Sequence, residues 1–479
     1  MAQSLARALV FCTSASVLVI EIIAVRLLAP YLGVSLEVFT GVIGVILAGI
    51  SLGAWLGGRA ADRRPPRSLI GPLLIAGGLT TLASPLLIDF VGPSLSTDPV
   101  SIVIAAAVGF MAPAATLSAV PPVIVKIQLE SLEQTGTVVG SYSAIGTAGA
   151  ILGTFLTGFI LIAAFPTRPV VFVLGALITL TGLTLSLTGR IWAASIVVAG
   201  LLGTGLLALQ GPCEHETTYH CAIVVEDEQR PSGRTLVLDR LSNSYVDLED
   251  PTYLKFRYIQ LIADVFETAL PQGPLDVVSI GGGGFTLPGY LEATRPGGTN
   301  LVLEIDSKLV EIGRTELSLD ETVDVVVDDA RVSLGDVPPG STQLVIGDAY
   351  SGASVPWHLT TVEFNQQISE VLAPGGLYVM NVIDYPLHRA FVRAEARTLR
   401  EVFDNVALFA PRSYLTGENG GNYILVASDS PIDIAAVESQ VRSRGGIEVG
   451  ISGQMLTDFI GDAHVLTDDY APVDQLLLR

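Results

Sequence analysis

Residues 275–306 read LDVVSIGGGGFTLPGYLEATRPGGTNLVLEID. LDVVSI is a short apolar run of strand length, and it stops abruptly at Gly281-Gly282-Gly283-Gly284. NLVLEID is a second such run, ending at Glu304 about twenty residues after the glycines, and a helix fits between the two. The pattern continues C-terminally. A helix is expected from near Ser307, then strands at DVVVDDA (324–330), QLVIGDA (343–349) and GLYVMNVI (376–383). Strands alternating with helices predict a parallel, doubly wound sheet. On the N-terminal side, residues 219–247 read as a β-hairpin, with YHCAIVVED as one strand, RPSG as the turn and RTLVLD as the next strand. A helix is expected over 251–269.

In such a sheet, ligands sit outside the carboxyl ends of the strands, where the strand order reverses. A glycine run there lets backbone come close to a ligand. Glu304, at the end of the second strand, can accept both hydroxyls of a ribose. Asp329 ends the third strand and can accept from an adenine amino group. Asp348 ends the fourth, deep in the cleft. Each acid taken alone could equally be a helix cap or a solvated loop residue. Four consecutive strand ends together point to an adenosine-type cofactor. No GxxxxGK[ST] is present, which excludes a standard P-loop.

The first 210 residues have a different composition. The 479-residue chain is 50% apolar, with a formal net charge of −21. Residues 1–210 carry nine basic and seven acidic residues, and the remainder carries 17 and 40. Apolar runs of spanning length predict about seven transmembrane helices, near 8–29, 38–60, 68–91, 99–122, 137–164, 169–188 and 191–209. The lipid bilayer is therefore an expected partner. The acidic remainder argues against nucleic acid. The first apolar run contains Glu21 and Arg26, with their partners open, so it is expected to stay as a membrane helix rather than be cleaved. Gly49, Gly53 and Gly57 recur at every fourth position. So do Gly146, Ala150, Thr154 and Gly158, with Gly149 and Gly153 beside them, and this spacing suits close helix packing.

The loop GGRAADRRPPR carries Arg59, Arg63, Arg64 and Arg67, which the positive-inside rule places in the cytoplasm. It also resembles the cytoplasmic loop of major-facilitator transporters. Seven helices would then leave residue 210 outside; one helix more or fewer would reverse this. Cys213 and Cys221 follow, as a disulfide or as two thiols, and a disulfide would fit an oxidising compartment. The spacing of His215 and His220 matches no zinc signature, and no metal is expected.

The soluble half resembles the spermidine synthases, the polyamine aminopropyltransferases, over roughly 219–430. The residues that carry the resemblance are GRTLVLD, Tyr258 in KFRYIQLIADV, SIGGGG, LVLEID, VVDDA, IGDAYSGASVPWHLTTVEFN and LAPGG, in that order. The whole chain resembles membrane-fused members of that family. The resemblance implies a membrane bundle (1–210), a small β subdomain (213–250) and a Rossmann-like, methyltransferase-type domain (251–479). It implies decarboxylated S-adenosylmethionine as the donor and an amine acceptor, with a homodimer left open. Gly281, Gly282, Gly283, Glu304 and Asp329 would bind the donor, and Asp348 and Tyr258 would be catalytic. Three positions depart from the family pattern. Gly284 and Ser351 stand where acids are usual, and Ile259 stands where glutamine or histidine is usual. Two other readings follow from these departures. One is an S-adenosylmethionine-dependent methyltransferase in which Gly284 makes room for a carboxylate. The other is a sensor or transporter whose second half only binds a polyamine or nucleoside. An external domain would also need a supply of a cofactor made in the cytosol.

Overall fold

The computed structural model describes residues 1–477 except 34, 96–97, 130, 187–210, 351 and 353. The predicted helix at 191–209 and the departure at Ser351 lie outside the described residues. The chain divides into two compact units, Met1–Cys221 and Ala222–Arg479.

Among the described residues of the first unit, six helices are long and apolar enough to cross a membrane. They are α1 (Gln3–Leu32), α2 (Leu36–Arg63), α3 (Arg67–Ser94), α4 (Pro99–Gln128), α5 (Leu132–Leu161) and α6 (Thr167–Ser186). At about 1.5 Å per residue, each covers a hydrocarbon core of about 30 Å. Several outrun the apolar windows expected from sequence; α2, for instance, continues through Arg59 to Arg63. Long basic side chains let a helix do this, because their charged heads reach past the apolar layer.

Glycine sets the distance between helices. A Cβ at Gly53 would stand 2.0 Å from the carbonyl oxygen of Ala115, and one at Gly57 2.4 Å from that of Ala119, so α2 lies directly on the α4 backbone. On α5 the contact with α1 is made by Gly149 and Gly153, whose Cβ positions fall 2.2 and 2.5 Å from the Phe11 and Ala15 carbonyl oxygens. The neighbouring stripe meets α1 only at its start, where a Cβ at Gly146 would lie 3.1 Å from Ser14 Oγ; at Gly158 nothing lies within 4 Å. A third seam pairs Gly71 and Gly78 of α3 with Gly175 and Gly182 of α6. Its residues are seven apart, so a search for every-fourth spacing passes over them. Hydroxyls inside the bundle bond mostly to their own helices, as Thr13 does to the Leu9 carbonyl and Thr179 to that of Gly175. Ser84 of α3, besides the Thr80 carbonyl of its own helix, also reaches across to the Gly109 carbonyl, at 2.7 Å, in a π-helical turn over Ala107–Met111.

The helix ends differ in charge. Arg7, Arg59, Arg63, Arg64, Arg67 and Lys126 belong to one end, where Lys126 pairs with Asp62 at 2.9 Å. At the other end Asp89 accepts from the Tyr31 hydroxyl at 2.8 Å and pairs with Arg168. The segment that closes the unit, with β1 (His215–Glu216) and a Cys213–Cys221 disulfide, is held at this second end. Arg26 donates to the carbonyls of Thr217 and Thr218 and lies 3.6 Å from Glu216, and the Thr167 N–H donates to Glu216 at 2.9 Å.

The second unit opens with an antiparallel meander of β2 (Cys221–Asp227), β3 (Arg230–Leu238) and β4 (Leu241–Asp247). The expected two-stranded hairpin thus gains a third strand. Its first turn falls at Glu228–Gln229 rather than at RPSG, which lies inside β3 where the register shifts. Gly233 of that stretch makes room for the Tyr245 ring from β4. After α7 (Arg257–Ala269) comes an eight-stranded sheet, ordered β12-β10-β11-β9-β8-β5-β6-β7. Its strands are β5 (Val277–Ile280), β6 (Asn300–Glu304), β7 (Asp324–Val327), β8 (Thr342–Gly347), β9 (Leu372–Asp384), β10 (Asn405–Pro411), β11 (Gly421–Ser428) and β12 (Glu448–Ser452).

Strands β5 to β9 pair in parallel, whereas β10, β11 and β12 pair antiparallel, so the sheet is mixed rather than wholly parallel. The short link between Pro411 and Gly421 favours this, because a parallel crossover needs a dozen or more residues. Both faces of the sheet are covered. Ile262, Val265 and Phe266 of α7 pack with Val379 and Ile424 on one side, and Phe364, Ile368, Phe391 and Val392 pack with Tyr378 and Tyr423 on the other.

Candidate active site

β5 lies between β6 and β8, where the strand order reverses, and the glycine run leaves its carboxyl end. Gly281 and Gly283 have φ of +89° and +50°, and α8 (Thr286–Thr294) starts just beyond them. The neighbours that a side chain here would strike are protein atoms. A Cβ at Gly281 would lie 2.7 Å from the Asp348 carbonyl oxygen, and one at Gly283 would lie 2.8 Å from Asn243 Oδ1. At Gly284 the obstacle is Ser244 Cβ, at 2.6 Å, and Ser244 Oγ accepts the Gly284 N–H at 2.9 Å. Gly284 therefore does not make room for a ligand carboxylate; Ser244 of β4 fills that space.

Asp348 follows β8 directly, and its N–H donates to the Ile280 carbonyl at 3.0 Å. Asn381 Nδ2, from β9, donates to Asp348 Oδ1 at 2.8 Å. The Tyr258 hydroxyl, from the first turn of α7, stands 3.5 Å from Asp348 Oδ2 and 3.3 Å from the Asn243 carbonyl. Asn381 is itself held by Asn422 Nδ2 of β11, at 3.0 Å. Asp348 is partly buried, and burial pushes its carboxyl up to about 7 against the pull of Asn381 and Tyr258. Burial and the nearby carboxylate push the Tyr258 phenol well above its usual 10, so it remains a donor.

Asp348, Gly281, Gly282 and Gly283 share a cavity of about 30 Å³ with Asn243, Ser244, Ser279 and Ile259. It has room for about one water molecule, not an adenosine. Glu304 and Asp329 do not line it, so the single cleft expected from sequence is divided. Glu304 reaches it through the backbone: Oε2 accepts the Gly282 N–H and Oε1 the Asp306 N–H, both at 2.8 Å. A carboxylate has about four acceptor positions, so these backbone donors leave it some capacity for a ribose hydroxyl. Burial raises the Glu304 carboxyl above the usual range despite these N–H donors. Asp329 lies further along the edge and caps the short helix Ala330–Ser333 by accepting from Arg331 N at 2.8 Å. Its Oδ2 is 3.1 Å from His358 Nε2. Capping, one of the two ordinary uses open to such an acid, is thus one of its present contacts.

Composition and spacing do not single out Ser279, Asn243, Ser244, Asn381 or Asn422. A signal exists for two of them. Asn381 and Ser279 interrupt otherwise apolar strands, where a polar side chain is disfavoured unless something needs it.

No family model matches the chain. A curated polyamine aminopropyltransferase from Chromobacterium violaceum is 24% identical over 140 residues, 29% of this chain and 53% of the relative. The chain thus spans about half the length of that relative. A solved structure of a probable spermidine synthase from Corynebacterium glutamicum is 27% identical, with a TM-score of 0.50, over 55% of this chain and 99% of its own. The α/β unit has a spermidine synthase-like fold. A spermidine synthase from Thermotoga maritima is 18% identical, with a TM-score of 0.35, over 53% of this chain and 82% of its own. Ile259 is buried against the cavity and offers it no polar group.

Proposed function

We propose that the chain is a membrane-bound, spermidine synthase-like transferase that moves an aminopropyl group from decarboxylated S-adenosylmethionine to an amine acceptor. The observation that carries this reading is the Asp348 carboxylate, set beside the glycine loop with the neutral partners Tyr258 and Asn381. A primary amine with a pKa near about 10 arrives protonated and cannot attack. Ionised Asp348 binds that ammonium and takes one proton. The freed nitrogen lone pair forms a C–N bond to the propyl carbon while the carbon–sulfonium bond breaks, and methylthioadenosine leaves with the electron pair on sulfur. Tyr258 and Asn381 fix the carboxylate, and most of the remaining acceleration is positional.

Glu304 would hold the ribose with its remaining acceptor capacity, and Asp329 would meet the adenine amino group. Ile305, 45% exposed beside Glu304, offers an apolar surface to the base. The donor's amino end would face the neutral Ser244 and Asn243 in place of an acid, which weakens the grip on a cation. The full chain in lipid nanodiscs, given the decarboxylated donor and putrescine, should release methylthioadenosine together with an aminopropylated product. Turnover of intact S-adenosylmethionine to a methylated product would favour a methyltransferase, and polyamine binding without turnover a sensor.

The bundle also bears on the compartment. Its basic end fits the cytoplasm by the positive-inside rule. The disulfide-closed segment is held at the opposite, acidic end, and Ala222 continues the chain from there. On this reading the second unit works outside the cytoplasm, where a disulfide persists, and the donor must reach it from the cytosol. Membrane-impermeant thiol labelling of a cysteine placed at exposed Ile447 in intact cells tests it. Labelling supports an external unit, and protection until lysis contradicts it.

A further inference from the structure

Ser279 sits in the middle of β5, only 3% exposed, and its Oγ has no hydrogen-bond partner among the described residues. Leaving a hydroxyl dry inside a protein is destabilising, and buried polar groups are as a rule hydrogen-bonded to protein or to ordered water. Ser279 pairs in register with Ile346 of β8, two residues before Asp348. Side chains at alternate positions share a face of a sheet, so Ser279, Ile346 and Asp348 are on the same side. All three line the cavity of about 30 Å³, which Gly281 and Thr286 also border. A cavity needs roughly 10–15 Å³ and two to four polar partners to keep a water. This one meets both conditions.

We propose that the cavity is a single-water site, and that this water joins the Ser279 hydroxyl to the Asp348 carboxylate. The water accepts from Ser279 Oγ–H and donates to Asp348, each of whose oxygens keeps an acceptor position beyond those facing Asn381 and Tyr258. Ser279 is then a positioning residue that acts through the water. It favours the ionised carboxylate against burial, and so keeps a deeply set acid usable as a base near neutral pH. This rests on the reading of Asp348 as the base, but its test does not require turnover.

The titratable groups facing Asp348 are Tyr258 from α7 and Tyr350 just beyond β8. Both phenols are pushed well above their usual 10, so a titration near neutrality belongs to the carboxyl. The experiment uses the full chain in nanodiscs. Its readouts are a density map fine enough to show ordered water and an infrared titration of the carboxyl stretch that Asp348→Asn removes. The expected result is one water peak between Ser279 and Asp348, and a midpoint that rises by about one pH unit in Ser279→Ala, a tenfold gain in proton affinity. Ser279→Thr should keep the parental midpoint. If Ser279→Ala does not fold, Ser279→Cys, a weaker donor of similar size, should show a smaller rise. An empty cavity, or a midpoint unmoved by both Ser279→Ala and Ser279→Cys, overturns the proposal. Absence of aminopropyl transfer would count against the function and leave both readouts decisive for the water site.

Discussion

Asp89, at the end of the helical bundle, and Asp348, at the edge of the sheet, are both carboxylates set into protein, but their surroundings differ. Asp89 meets the Arg168 guanidinium and the Tyr31 hydroxyl. Its charge is answered where it stands, and the arrangement fastens α1, α3 and α6 together at that end. Asp348 has two neutral partners, and its carboxyl is pushed up to about 7. An acid paired with a cation is a structural fixture. An acid held by amide and phenol groups alone can exchange a proton near neutral pH, which is what a base for an ammonium substrate requires.

The contrast can be broken by substitution, and the largest effect is expected on turnover. Asp348→Asn keeps the shape and one of the two accepted hydrogen bonds but cannot take a proton. Methylthioadenosine release should fall by about 10³-fold or more, while nucleoside binding measured by calorimetry is spared. In the parent protein the rate should climb as pH rises through about 7, because the ionised form is the active one. The second effect is on stability and has the opposite sign. A carboxyl whose folded pKa lies above its unfolded value of 3.8 stabilises the fold relative to its ionised form at low pH, and that contribution is lost as pH rises through about 7. Asp348→Asn should therefore leave stability unchanged near pH 4 and raise it by up to roughly 4 kcal/mol at pH 8, read as a denaturation midpoint at the two pH values. Asp89→Asn should show no such gain.

In the bundle the sensitive positions are the helix contacts. Gly53→Leu puts side-chain atoms into the backbone of α4 and should lower the stability of the detergent-solubilised protein by roughly 3 kcal/mol, whereas Gly158→Leu, with open space around it, should be close to neutral. The smallest effect sharpens the comparison from the other side. Asp89→Asn leaves Arg168 without its counter-charge in a partly exposed setting, and a loss of about 1–2 kcal/mol is expected in the same melting assay, with turnover unchanged.

The sequence made some of this legible and some not, for physical reasons. The long apolar runs were readable because a helix able to cross a bilayer needs about twenty apolar residues in a row. Of the five parallel strands, the inner ones were readable as apolar runs because their faces are buried, and the exposed edge strand β7 by its β-branched DVVV run; their ends carry Gly281, Glu304, Asp329 and Asp348. The antiparallel β10–β12 were not, because their direction depends on link length rather than on pattern. The hairpin turn was misplaced because Pro231 and Gly233 are turn residues by habit, yet here lie in a strand at a register shift beside Tyr245. Asp348 was legible because it ends a buried strand beside the glycine run; Glu304 and Asp329 were read into the same cleft from their strand ends, but they do not line its cavity. The site's neutral half, Asn381, Asn422, Ser279 and Ser244, was not legible, because amides and hydroxyls are common and only their convergence gives them meaning. Gly284 shows the limit most clearly. As a letter it reads as space, whereas in the fold Ser244 occupies that space.

The most direct test of the account is a structure of the full chain with methylthioadenosine bound. The account predicts the ribose hydroxyls on Glu304, the base beside Ile305 near Asp329, and the thioether sulfur facing Asp348, with β4 drawn back from the glycine loop to admit it. A nucleoside bound away from Glu304, or one whose sulfur points away from Asp348, would contradict it.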